Sequence, residues 1–421
     1  MKALVLAAAK SKKLSPFSDT RPKSMITISG RPILETILNQ IGDSGIKEVW
    51  LVVNHQKDII QDYFKYGKSL GIKIDYIYQE EEKGIGHAVS LCEDVIGDDS
   101  HFMLIYGDAL MSGNPFSHLL SRFSRSSSNS LATISHPLSD GFYGNIYLSH
   151  DMKISKLVER PESKRLSNYI FGGSFILEQG CFEFLKSNNH DMVAFYHHLI
   201  DQKSMDACLW EDSWIDISRP WHILAANQMM MNPWNTSIIP ETVIIDQNVN
   251  IKGVVHFGEN VHVSSGTTIV GPCYIGNNVY IGNNALIRKN SSIGPNCKIG
   301  YGTEIKNAVL FGNSNVGRLS FIGDSVLGEN VQLGSNTVTV NYNTLGEAIF
   351  YNPLDGKAID TKLEKLGAFI GDNSIVGTGH RIAPGTPLPP GTTIPDWVSI
   401  SHSTLSKAEI VQKPGKLYTH Q

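Results

Sequence analysis

A chain of 421 residues is too long for one ordinary hydrophobic core and calls for two large domains. Its 36 basic and 40 acidic side chains leave a formal net charge of −4, which gives no reason to expect nucleic acid or an anionic membrane as partner. Cys92, Cys181, Cys208, Cys273 and Cys297 show no Cys-x-x-Cys spacing and read as buried thiols in a reducing cytosol.

The apolar run Ala3 to Ala9 is too short for a signal h-region and merges into a lysine-rich loop. No stretch approaches the ~18 apolar residues of a membrane span, so the expectation is a soluble, cytoplasmic protein. From the start to about residue 228, strand and helix alternate. Leu4-Val5-Leu6 reads as a strand entering a loop, and Ile33 to Ile41 has helical spacing after Pro32. Val49 to Val53 and Ile72 to Tyr78 are the second and third strands. A helix begins near His87, and Phe102 to Tyr106 is the fourth strand. The pattern predicts an α/β, doubly wound sheet whose ligands lie beyond the carboxyl ends of the strands. The serine-rich stretch Ser121 to Ser130 reads as an exposed loop.

The second half keeps a different rhythm. Ile245, Ile251, Phe257, Val263, Ile269, Ile275, Ile281, Ile287, Ile293, Ile299 and Ile305 are all apolar, each six residues after the last. Chance would give such a run roughly once in several thousand trials at ordinary apolar usage. Neither a 3.6-residue nor a 2-residue period explains a strict six, whereas a hexapeptide parallel β-helix does. Each coil is then three short strands with one aliphatic inward per strand, and Gly or Asn turns the corners where φ is positive. The predicted organisation is a doubly wound α/β domain over residues 1–228, a linker over 229–238, the β-helix over 239–402 and a tail over 403–421.

Two carboxylates stand at strand ends in the first half: Asp108 in Tyr106-Gly107-Asp108, and Asp216 in Trp214-Ile215-Asp216. Alone, an Asp there is usually a turn or cap residue, and Lys23 after Pro22 a solvated lysine. Together with their neighbours they form a pattern. Leu6-Ala7-Ala8-Ala9-Lys10-Ser11-Lys12-Lys13-Leu14, then Pro16 and Arg21-Pro22-Lys23, resembles the signature of sugar-1-phosphate nucleotidylyltransferases. The resemblance continues through Gly84-Ile85-Gly86-His87-Ala88, Tyr106-Gly107-Asp108, Val158-Glu159-Arg160-Pro161 and Trp214 to Pro220.

That resemblance implies the reaction of an NTP with a sugar-1-phosphate to give an NDP-sugar and pyrophosphate, with UTP or dTTP as the nucleotide. It implies Mg²⁺ on Asp108 and Asp216, a hard cation suited to carboxylates. Lys13 and Lys23 would contact the triphosphate and the transferring phosphoryl, with Ala7 and Ala8 in the nucleotide loop. Gln79 and the backbone near Gly84 would read the base, Gly144 and Glu159 would hold sugar hydroxyls, and Arg160 would meet the sugar phosphate. The loop departs from the family's LAAGxGTRL in carrying Ala9, Ser11 and Lys13 where that pattern has two glycines and an arginine. A left-handed Ala9 would cost about 1–2 kcal/mol, and Lys in place of Arg loses a planar fork for phosphate. Phe171 replaces a polar residue common before the glycine that corresponds to Gly173.

A nucleotidylyltransferase domain followed by a left-handed β-helix resembles bifunctional enzymes that also acetylate glucosamine-1-phosphate from acetyl-CoA. Here the carrying residues are Phe321 to Ser325, Val340 to Asn343 and Lys365 to Asp372, and the excursion from about Asn341 to Glu364 would lie beside the acyl acceptor. Related acetyltransferases place a histidine base three residues before an aromatic. This chain has Arg318 three before Phe321, and an arginine cannot take a proton. The expectation is against acetyl transfer by that route, with Arg318, Asn341 and Lys365 left as a possible acyl-acceptor or anion site. The family also implies a homotrimer through the β-helix. Three readings therefore stand: the nucleotidylyltransferase alone, the bifunctional enzyme, and a non-catalytic sugar-nucleotide binder.

Overall fold

A computed structural model describes residues 1–400 except 10, 55, 98, 138–142, 160–166, 354–355 and 398. Lys10, Arg160 and the tail over 403–421 lie outside the described residues. The chain divides into two compact units: Met1–Lys10, Arg21–Ile26 and Pro32–Ile217 form the first, and Ser11–Thr20, Thr27–Arg31 and Ser218–Gln421 the second.

The first unit is built on seven strands: β1 (Ala3–Leu6), β2 (Glu48–Val53), β3 (Lys73–Tyr78), β4 (His101–Tyr106), β5 (Ser130–Ser135), β6 (Ile170–Glu178) and β7 (Met205–Leu209). Their order across the sheet is β7-β5-β6-β4-β1-β2-β3. β1 pairs in parallel with both β2 and β4, while β6 runs antiparallel to β4 and β5, so the doubly wound half continues into a mixed one. Alternate residues serve opposite faces. Leu4, Val52, Leu104, Phe175 and Leu177 pack against helices Ile85–Ser90, Cys181–Ser187 and Met192–Asp201, and Ala3, Val5, Met103 and Ile105 are buried on the other side. Both faces are covered, which is why these strands read as continuous apolar runs. The serine-rich stretch is not the exposed loop expected of it. The helix Pro115–Phe123 runs into it, and Ser126 and Ser128 donate hydrogen bonds to the Asp206 carboxylate.

The second unit holds three parallel sheets of eight, eight and seven strands, the faces of a left-handed parallel β-helix. Register partners such as Val263 and Ile281, or Ile269 and Ile287, are one coil apart and stack their side chains into a continuous aliphatic column. Helix His222–Met231 extends into the segment expected as linker and lies in this unit. Asn260, Asn278, Asn296 and Asn313 sit at corners with φ between 52° and 59°. Their side chains form a ladder, each amide donating to the next at 3.3, 3.0 and 2.9 Å.

The column does not stop at Ile305. Ile293 pairs with Leu310 and Leu310 with Leu327, each seventeen residues on rather than eighteen, so Leu310, Val316, Ile322, Leu327 and Leu333 continue inward. One residue is lost at each of two corners, those carrying Asn307 (φ 45°) and Asp324 (φ 48°), and a fixed count of six loses register beyond them. The chain then leaves the coil, forms a small antiparallel pair of Phe350–Tyr351 with Ile359–Asp360, and resumes at Phe369–Ile370.

Candidate active site

Four strands of the first unit, β4-β1-β2-β3, lie side by side, and the sequence places polar or small residues just beyond three of them: Ala7 and Ala8 after β1, Gln79 after β3, Gly107-Asp108 after β4. Gly107 is required by closeness. Its N–H donates to the Leu6 carbonyl at 2.9 Å, and a Cβ there would lie 2.7 Å from that same oxygen. Asp108 then leads into Ala109–Met111, which pairs antiparallel with Trp214–Asp216 so that Asp216 lies opposite Ala109. This register brings the two carboxylates to one place.

Lys23 meets them there. Pro22 opens a short turn, Lys23–Met25, closed by the Met25 N–H on the Pro22 carbonyl. The Lys23 ammonium donates to Asp108 Oδ2 at 2.8 Å and to Asp216 Oδ1 at 2.9 Å. Burial pushes this ammonium down, and the two carboxylates outweigh it and hold it at about 12. Lys23 is 7% exposed while Asp108 and Asp216 keep 32% and 25%, so the carboxylates remain open to a ligand from outside.

No group of three or more His, Cys, Asp or Glu gathers as a metal cage among the described residues. Two carboxylate oxygens converging within 3 Å of one cationic atom nevertheless suit Mg²⁺, which takes one or two protein carboxylates and fills its remaining positions from phosphate and water.

Other predicted residues fall into two groups. Gln79 is buried, and its side-chain amide donates to the Gly84 carbonyl at 3.1 Å and lies 3.2 Å from His87 Nδ1, which closes the turn before helix Ile85–Ser90. Gly84, at φ 89°, starts that helix. Gly144 and Glu159 flank the pair Asn145–Leu148 and Ile154–Val158, whose register sets Asn145 against Val158. A Cβ at Gly144 would lie 2.9 Å from Glu159 Oε1, so the glycine leaves room for that carboxylate.

The sequence reading missed Tyr196. Its phenol oxygen lies 3.0 Å from that of Tyr106, and Tyr196 is buried while Tyr106 is half-buried. Burial pushes both phenols up, and the Asp108 and Glu159 charges push Tyr106 the same way. Phe171 packs on Tyr196 with ring centroids 5.0 Å apart. No local motif marks Tyr196, because its role comes from a helix returning to β4 some ninety residues later.

Lys13 lies in the second unit, exposed on the turn Lys12–Leu14, and Ser11 before it has φ −125°, outside the left-handed region. In the β-helix, Asn341 donates to Asp324, which also accepts from Asn307 and pairs with Lys306 at 3.2 Å. The Asn341 carbonyl accepts from Leu366, next to Lys365, while Arg318 and Lys365 are exposed. His256 stacks on Trp234 at 3.7 Å and His262 pairs with Asp246 at 3.0 Å, so each has a local partner.

The nucleotidyl transferase family matches residues 2–232, and the GMPPB C-terminal domain matches residues 269–353. The chain is 35% identical over 390 residues to the bifunctional protein GlmU of Methanococcus maripaludis, covering 91% of this chain and 90% of that protein. It is 29% identical over 393 residues to a bifunctional sugar-1-phosphate nucleotidylyltransferase/acetyltransferase of Sulfurisphaera tokodaii, covering 91% and 93%. A chain from Bacillus anthracis assigned as a glucose-1-phosphate thymidylyltransferase, solved with a sucrose, superposes with a TM-score of 0.51 at 18% identity, covering 56% of this chain and 98% of that one. A likeness at that identity concerns the fold. The match to residues 2–232 and the near full-length relatives place the chain in the sugar-1-phosphate nucleotidylyltransferase family, among enzymes that carry a C-terminal left-handed β-helix.

Proposed function

We propose that this enzyme transfers a nucleotidyl group from UTP or dTTP to a sugar-1-phosphate at the Lys23, Asp108 and Asp216 cluster. The convergence of one ammonium and two carboxylates beyond the strand ends carries this reading. In the reaction a phosphate oxygen of the sugar-1-phosphate bonds to the α-phosphorus, and the bond from that phosphorus to the pyrophosphate oxygen breaks. No covalent nucleophile from the protein is needed, so the chain's work is positioning and charge neutralisation.

Asp108 and Asp216 would hold Mg²⁺, which supplies positive charge to the triphosphate oxygens. Lys23, buried and held charged, presents its ammonium where negative charge accumulates. Lys13 offers a second positive charge on the preceding loop, and Ala7 and Ala8 keep the backbone there accessible. Gln79 and Gly84 fix the turn that meets the base. Glu159, over Gly144, accepts hydrogen bonds from sugar hydroxyls, with Arg160 meeting the sugar phosphate. The β-helix would pack into a homotrimer. The test is pyrophosphate release from a panel of NTPs and sugar-1-phosphates with Mg²⁺. Release with no pair, while NDP-sugars still bind, would leave the non-catalytic reading in place.

A second reading is that the β-helix also acetylates a sugar phosphate. The names of the Methanococcus and Sulfurisphaera relatives favour it, as does the polar cluster of Lys306, Asn307, Asp324 and Asn341 beside the excursion. Against it stands Arg318 where a base is needed. CoA thiol release from acetyl-CoA and glucosamine-1-phosphate decides this.

A further inference from the structure

Gln79 is pinned by its backbone, whose N–H donates to the Val53 carbonyl at 3.0 Å where β2 and β3 end. Its side-chain amide then makes two contacts from a single atom. The atom 3.1 Å from the Gly84 carbonyl must be nitrogen, since a carbonyl oxygen can only accept, and this settles which end of the amide is which. The same nitrogen lies 3.2 Å from His87 Nδ1, and its second proton goes there when that ring nitrogen carries none. Both protons of Nε2 are then engaged inside the protein. Among the described residues nothing donates to Gln79 Oε1, and that oxygen is not sealed from outside. The buried side chain therefore offers a ligand an acceptor alone.

His87 is held in the state that this requires. Its helix, Ile85–Ser90, presses on the loop after Cys181–Ser187. A Cβ at Gly86 would lie 2.0 Å from the His190 carbonyl oxygen, and Ser90 Oγ lies 2.7 Å from His190 Nδ1. The His190 ring stands edge-on to that of His87, with centroids 5.6 Å apart. Burial pushes the His87 imidazole down, and His190 and Lys83 push it the same way. Glu81, paired with Lys83 at 2.5 Å, opposes them without reversing the direction. A neutral ring with its proton on Nε2 accepts at Nδ1. Gly84 does not yield either, because its carbonyl also accepts from the Ala88 N–H at 3.2 Å as the helix begins.

We propose that His87 is a positioning residue that sets base selectivity: by taking one proton of the Gln79 amide it leaves Oε1 as the reading atom, which selects a base with an N–H at the position it meets. The imide N3–H of uracil or thymine is such a donor. N3 of cytosine is a lone pair and would face another lone pair. The inference rests on the reading of Gln79 as the base contact. Discrimination then comes from an amide that cannot turn over, and all the residues that hold it belong to the first unit.

The test measures binding of UTP and CTP with Mg²⁺ to the full chain by calorimetry, with Tm recorded for every variant. The two nucleotides differ at this edge and hardly in size. Wild type should bind UTP at least about tenfold more tightly than CTP. His87→Phe removes the acceptor and keeps a ring, so the amide can turn over and the ratio should fall about three- to tenfold, as one hydrogen bond of ordinary strength implies. His87→Asn, which places an oxygen near the position of Nδ1, should restore most of the ratio. In a Gln79→Leu background His87→Phe should change the ratio no further, an outcome that a merely structural histidine would not give. An unaltered ratio in folded His87→Phe would overturn the proposal, and so would CTP binding as tightly as UTP to the wild-type chain, which needs no variant. If wild type binds UTP but releases no pyrophosphate with any sugar-1-phosphate, the nucleotidylyltransferase reading fails, and the binding ratios alone then decide the role of His87.

Discussion

Lys23 and Asp108 form an ion pair of 2.8 Å across 85 residues of chain, and the same ammonium reaches Asp216 at 2.9 Å. A protein cation thus occupies the place between two carboxylates where a metal ion would be held. Lys23→Met should therefore have two opposed effects: Mg²⁺ binding tightens as the competing ammonium disappears, while turnover falls at least about tenfold for want of positive charge at the phosphoryl group. Calorimetric Mg²⁺ titration and pyrophosphate release, run on the same variant, separate the two. A variant that loses both Mg²⁺ binding and activity would contradict this account.

Asp108→Asn keeps the shape and removes one anionic ligand. Pyrophosphate release should fall by about two orders of magnitude, the kinetic equivalent of ~3 kcal/mol of lost charge stabilisation. Chelation of the wild-type enzyme should abolish release and added Mg²⁺ should restore it. Activity that survives in Asp108→Asn would move the chemistry elsewhere.

Gly107→Ala tests the backbone contact beneath Asp108. The new methyl would meet the Leu6 carbonyl at 2.7 Å, so β1 and β4 must separate at their ends. The expected cost is about 1–3 kcal/mol of stability, read from urea unfolding, together with a loss of turnover larger than at a glycine in open space such as Gly45.

In the β-helix, Asn296 combines φ 59° with two ladder hydrogen bonds, one accepted from Asn278 and one donated to Asn313. Asn296→Ala should lose about 1–2 kcal/mol, because alanine is strained in this region and cannot continue the ladder. Asn296→Gly removes the bonds without the strain and should lose less. Equal losses, measured by thermal unfolding, would mean that the ladder alone matters.

The five cysteines are free and buried. Burial pushes Cys92, Cys273 and Cys297 from the usual 9 to about 12, and Cys208 to about 11. The native state therefore keeps these protons where the unfolded chain loses them. The thiols' contribution to stability should be constant below about pH 9 and decline as pH rises from 9 toward 12. Unfolding curves at successive pH values should show the decline, and it should be shallower in Cys273→Ala with Cys297→Ala. In native protein the thiols should resist alkylation at pH 8.

The parts of this molecule that were legible in the sequence are those governed by short-range rules. Ile33 to Ile41 gave its helix by spacing, β1 to β4 gave themselves by apolar runs, and Ile245 to Ile305 gave the β-helix by period. The carboxylates Asp108 and Asp216 and the lysine Lys23 could be picked out only through motifs, and nothing local said that one ammonium would touch both. Beyond Ile305 the count of six failed at Asn307 and Asp324, where a coil one residue short keeps the same inward column. Tyr196 was invisible for a different reason. It takes its place from partners far along the chain, which no window of neighbouring residues contains.

The hydrogen bond from Thr20 to Asp372 spans 352 residues. On a ribosome adding ~5–20 residues per second, Thr20 emerges on the order of tens of seconds before its acceptor is made. The strands β1 to β7 can assemble during that interval, but the Ser11–Thr20 segment, which belongs to the second unit, must wait for the last coils. A chain cut short before the last coils would therefore leave the Ser11–Thr20 segment without the acceptor that holds it.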